Sequence, residues 1–169
     1  SQELCTQVVK QLKLNRSYIE DKGWFKPKRD HYNSSPVEIL APEEFFDTLS
    51  SPLKFKIDVN KQGLASIKAV KSKKAIVDVK DAELPITLKT AYGVFAFQPS
   101  EDFKPGKNHK ITATLYGNQL RGEVLNHRVK IKLVTKKSNG IDLSIAETNT
   151  ARGKDILNKL MELYNERGQ

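Results

Sequence analysis

Apolar and charged side chains alternate residue by residue through Leu53-Lys54-Phe55-Lys56-Ile57-Asp58-Val59. A period of two is satisfied by a pleated strand with one buried and one wet face. The alternation returns in Val129, Ile131 and Leu133, and again in Ile141, Leu143 and Ile145. Ser138-Asn139-Gly140 lies between these runs and tolerates positive φ, so a hairpin is predicted there. Ala65 to Val70 and Ala75 to Val79 extend a meander from the Gln62-Gly63 turn. Ser35 to Leu40, Gly93 to Gln98 and Lys110 to Thr114 read as further strands. Leu84-Pro85-Ile86-Thr87-Leu88 is extended but interrupted by proline, which suits an edge or a connector.

Helical spacing is concentrated at the two ends. Leu4, Cys5, Val8, Val9 and Leu12 share one face of a short amphipathic helix. Ile156, Leu157, Leu160, Leu163 and Tyr164 share a face of another, behind the N-cap side chains of Thr148, Asn149 and Thr150. Pro42-Glu43-Glu44 has the form of a first helical turn. A brief helix over 115–124 is expected to be weakened by Gly117 and Gly122, at about 1 kcal/mol each. Strands that follow one another directly, bracketed by helices, define an α+β chain: a mostly antiparallel or mixed sheet packed against N- and C-terminal helices. With 169 residues, 38% of them hydrophobic, and no repeat or linker, residues 1–169 are expected to form a single domain.

Several kinds of chemistry lack their residues. The nine glycines are dispersed, and none forms a phosphate-cradling loop; no cofactor is expected. One cysteine and three histidines (His31, His109, His127), without ligand spacing, make no structural zinc shell. Cys5 lies on an apolar helix face, where a free thiol acts as a small hydrophobe. His31 stands in the charged run 26–32 and is expected to be a solvated loop residue. Glu43-Glu44 and Glu101-Asp102 pair acids in sequence, but nothing fixes their separation as a glycosidase would need. No catalytic or metal-binding residue is assigned, and the chain is read as a non-enzyme.

The compositional bias is a net charge of +9. Basic surfaces attract anionic glycans, nucleic acids or membranes. Lysine outnumbers arginine, 23 to 6, whereas bidentate phosphate and base recognition favours arginine. The candidate glycan contacts are Lys71, Lys73 and Lys74, together with Trp24 and Arg29 in an aromatic and basic loop. Phe55, Phe95 and Phe97 fall on strand faces that the core also claims.

The end segments carry a resemblance. Ala151-Arg152, then Asp155-Ile156-Leu157-Asn158-Lys159-Leu160 and Tyr164-Asn165, following a strand, is similar to the C-terminal motif of the Wzz-type polysaccharide chain-length determinants. Leu4, Val8, Val9, Leu12, Leu14, Asn15, Tyr18, Tyr32, Ser34, Ser35 and Pro36 resemble the segment after the first membrane span in that family. The likeness is strongest to the longer members fused to a tyrosine autokinase. Thr90 through Gly93 to Phe97 resembles a strand of the family's middle portion.

The resemblance implies a non-catalytic scaffold domain on the periplasmic face of the bacterial inner membrane, cut from a longer membrane-anchored protein. That protein would assemble as a homo-oligomer. It would work with a polysaccharide polymerase and a growing glycan, and without nucleic acid, to set the length of a capsular, exopolysaccharide or O-antigen chain. The motif residues would be structural. A second reading is a basic binding module for an anionic glycan or nucleic acid.

Overall fold

The computed structural model describes residues 1–133, 141–145, 147 and 149–167. The expected Ser138-Asn139-Gly140 turn and the Thr148 cap lie outside them. Two compact units are distinguished: a terminal unit, Ser1–Asn15 with Asn118–Gln169, and a central unit, Arg16–Gly117.

The terminal unit opens with α1 (Gln2–Gln11), N-capped by Ser1, whose hydroxyl accepts from the Leu4 amide at 3.4 Å. The chain then makes the central unit: β1 (Arg16–Asp21), β2 (Arg29–His31), β3 (Val37–Leu40), α2 (Glu43–Thr48), β4 (Leu53–Val59), β5 (Ala65–Lys71), β6 (Lys74–Ala82), β7 (Ile86–Thr90), β8 (Gly93–Pro99) and β9 (His109–Leu115). It closes in the terminal unit with α3 (Asn118–Arg128), β10 (Val129–Leu133), β11 (Ile141–Ile145) and α4 (Thr150–Glu166).

In the central unit, one sheet has the order β2-β1-β9-β4-β5-β6 and a second β3-β8-β7. Every pairing among the described residues is antiparallel. The proline-flanked β7 takes the edge that its sequence suits. Strict alternation in β4 buries Leu53, Phe55, Ile57 and Val59 and exposes Lys54, Lys56 and Asp58. The core joins both sheets through aromatic edges: Phe55 lies 5.2 Å from Phe95 and 5.1 Å from Phe97, centroid to centroid, and Phe45 lies 5.0 Å from Phe95. Each such pair adds about 0.5–1.5 kcal/mol beyond its area burial. The buried Tyr18 hydroxyl accepts from the Ile39 amide at 3.0 Å, a polar tie from β1 to β3.

In the terminal unit, α1 packs on α3 and α4, and α4 packs on β11. The last helix therefore lies against a strand of a two-stranded antiparallel sheet, a smaller layer than the sequence pattern suggested. Asn149 caps α4, its side chain accepting from the Arg152 amide at 2.9 Å. Ile156, Leu160 and Leu163 are buried, while Leu157 and Tyr164 are half-buried. The helix expected over 115–124 starts at Asn118 and runs to Arg128. Gly122 permits that helix to meet α1: a Cβ there would stand 2.2 Å from Thr6 Oγ1 and 2.7 Å from its Cα. Buried Asn15 Nδ2 donates to Asn118 Oδ1 at 2.7 Å, fixing the start of α3.

Candidate functional site

The polar centre of the central unit is Glu20. Alternation along β1 puts it on the same inward face as Tyr18, where a lone carboxylate would be costly. The register supplies its partners. Glu20 stands opposite Arg29 on β2 and Ile111 on β9, so His31 and His109, each two residues along, are its diagonal neighbours on that face. His31 Nε2–H donates to Glu20 Oε1 at 2.7 Å and His109 Nδ1–H to Oε2 at 2.9 Å. Lys22 Nζ approaches Oε1 at 3.4 Å. His31 Nδ1 meets the Ser34 hydroxyl at 2.8 Å. Burial pushes the Glu20 carboxyl up, but the two imidazole hydrogen bonds and the Lys22 charge outweigh it, and its pKa lies below the ordinary 4.5.

This corrects the expectation for His31, which is 5% exposed on a strand and not solvated in a loop. Sequence reading missed Glu20 altogether. Its available signal was the shared parity of Tyr18 and Glu20, but the histidine partners come from other strands. The cluster ties β1, β2 and β9 together. His109 Nε2 is buried without a hydrogen-bond partner, and the imidazole lies 5.7 Å from the Phe103 ring, centroid to centroid, tilted by 43°.

Beside the cluster, at the same end of the six-stranded sheet, opens a cleft of about 520 Å³. Asp21, Asp58, Asp81, Asn60, Asn108 and His109 line it, with Lys22 and Lys110. Such a set of carboxylates and amides can accept from and donate to hydroxyl groups. Among the described residues, no three His, Cys, Asp or Glu side chains are grouped so that they could hold a metal ion.

The candidate glycan contacts separate. Lys71 is half-buried: its ammonium donates to the Ser51 carbonyl at 3.2 Å and to the Ser51 hydroxyl, and stands 5.3 Å from the Tyr92 ring centroid. Lys73 and Lys74 are exposed at the β5–β6 turn. That turn lies beyond Leu53 and Leu115, whereas Trp24 in the β1–β2 connection and Arg29 at the start of β2 lie at the Asp21 and Lys110 end. The two basic groups thus sit at opposite ends of strands roughly 20 Å long. Phe55, Phe95 and Phe97 are fully buried and offer no stacking surface.

The remaining candidates have separate surroundings. Glu43 Oε1 accepts from Arg16 at 3.2 Å, and the guanidinium lies over the Phe46 ring at 4.4 Å. His31 and Glu43 therefore serve different partners. Ser35 Oγ donates to the Val37 carbonyl at 2.7 Å, and the Ser35 and Pro36 carbonyls accept from Ser100, pinning β3 to the end of β8. Gly93 has a φ of 145° where β8 begins. Ala151, Asp155, Asn158 and Asn165 lie on the exposed side of α4. Cys5 is buried, and burial pushes its thiol up.

In the terminal unit, Glu147 Oε2 accepts from Arg128 at 2.6 Å and Oε1 from Arg152 at 2.9 Å and the Asn149 amide at 3.2 Å. Burial raises its carboxyl, but these hydrogen bonds and the Arg152 charge prevail and lower it below 4.5.

No helix among the described residues is long and apolar enough to cross a membrane. Comparison with families of known proteins and with curated proteins finds no match to this chain.

Proposed function

We propose that the chain is a non-catalytic scaffold domain of a Wzz-type polysaccharide co-polymerase, standing on the periplasmic face of the bacterial inner membrane. Its role is geometric: several copies, gathered by their membrane anchors, present a surface to the polymerase and the growing glycan. The observation that carries this reading is the meeting of the two end segments. α1 and α4 pack together, and Arg167 of the α4 C-cap reaches Glu3 of α1 at 3.2 Å. A domain whose chain arrives and departs side by side suits a position between two membrane-spanning helices. The outer face of α4, with Asn158 and Asn165, is exposed for contacts between copies, and the cleft lined by carboxylates and amides supplies hydrogen-bonding groups for a glycan.

The test is expression of the full-length parent in a bacterium stripped of its own chain-length determinant. A narrowed distribution of polysaccharide lengths on a gel supports the reading; an unchanged ladder overturns it. A second reading, a basic module for anionic glycan or nucleic acid, is favoured by the charge of +9 and by exposed Lys73 and Lys74. It requires affinity that falls steeply with salt.

A further inference from the structure

Residues 22–28 connect β1 to β2, and every residue from Asp21 to Arg29 is exposed. At its tip Trp24 is 84% and Phe25 96% exposed, whereas the next most exposed large hydrophobic among the described residues, Leu120, is 51% exposed. The pair is set in place by the chain around it. Asp21 Oδ1 accepts from the Gly23 amide at 2.9 Å, and the Lys26 amide donates to the Gly23 carbonyl at 3.2 Å. Phe25 is held at a φ of 65°, a conformation unfavourable for a bulky side chain. The two rings meet edge to face, 5.6 Å between centroids and 72° between planes. Exposed Lys26, Lys28 and Arg29 follow directly, and Pro27 stiffens the run.

We infer that this hairpin tip docks on an anionic phospholipid surface, Trp24 and Phe25 entering the headgroup layer while Lys26, Lys28 and Arg29 engage the phosphates. Tryptophan beside basic residues is the composition that bilayer interfaces select, because the ring has an apolar body and a polar N–H, and the cations complement the negative surface. A glycan or single-stranded nucleic acid fits the same residues less well. Those ligands are held in concave grooves or on coplanar platforms. Here the rings stand nearly perpendicular on a projecting turn. The inference is independent of the chain-length reading.

Trp24 is the chain's single tryptophan, so its fluorescence reports on the tip alone. The chain is titrated with vesicles of phosphatidylcholine, then with vesicles of phosphatidylcholine and phosphatidylglycerol in equal parts. The expected result is a blue shift and protection from acrylamide quenching with the anionic vesicles only. Each basic residue near such a surface contributes about fivefold in affinity, so Lys26→Glu with Lys28→Glu should weaken binding by more than tenfold. Trp24→Ala with Phe25→Ala, followed by co-sedimentation, should abolish it, and circular dichroism should show both variants folded. An unshifted emission with anionic vesicles, equal binding to neutral ones, or a shift produced by an acidic polysaccharide but not by vesicles would overturn the proposal.

Discussion

The two compact units solve the same problem, burying a carboxylate beside an apolar core, with different partners. In the central unit, whose core includes Phe46, Phe55, Phe95 and Phe97, Glu20 is held by two imidazoles from neighbouring strands. In the terminal unit Glu147 is held by two guanidiniums, one on each side of the hairpin in sequence, next to helices that pack through aliphatic side chains and a glycine. Imidazoles can lose their protons; guanidiniums in proteins do not. The contrast shows where each unit is rigid: the central one through aromatic packing across two sheets, the terminal one through close helix approach and fixed charge.

The contrast can be broken by substitution. The largest effect is expected from Phe97→Ala in the central core, about 3–5 kcal/mol from lost burial and the cavity left behind, read from chemical denaturation. Glu20→Ala should cost about 3 kcal/mol, since three strands lose a shared buried partner. Hydrogen exchange should place both losses within 16–117. Gly122→Val should cost about 1–3 kcal/mol and loosen α1 and α3, because the atoms it meets include Thr6 backbone and cannot swing aside. Its exchange signature should fall in the terminal unit and leave the β1–β9 amides protected.

Acid sharpens the comparison. Glu20 and Glu147 both have folded pKa values depressed below 4.5, so each contributes stability that is fully present above that value and is lost as the pH falls through its folded value. Glu20→Gln and Glu147→Gln should each flatten the loss of stability on acidification, measured as the urea midpoint against pH. Each flattening should appear in the exchange of its own unit. The smallest stability effect is expected from Trp24→Ala, within about 0.5 kcal/mol of the unaltered chain, because that side chain is almost wholly exposed.

Local pattern made much of this architecture legible. β4 announced itself by alternation, β7 by its proline, and α4 by its apolar stripe and the Asn149 cap. What could not be read depended on partners far along the chain. Glu20 acquires its meaning only when β9 brings His109 beside it, and His31 looked like a loop residue because its run is charged and β2 is only three residues long, too short to show an alternation. Gly122 was read as a weakness in a helix, whereas it is the point where α1 approaches. The lysines of the β5–β6 turn and the loop bearing Trp24 looked like one surface until the antiparallel register put them at opposite ends.

The scaffold reading rests on copies gathering in the membrane, so the most direct measurement is native mass spectrometry of the full-length parent released from lipid nanodiscs. The account predicts a closed ring of one defined subunit number. A strict monomer across the concentration range would contradict it.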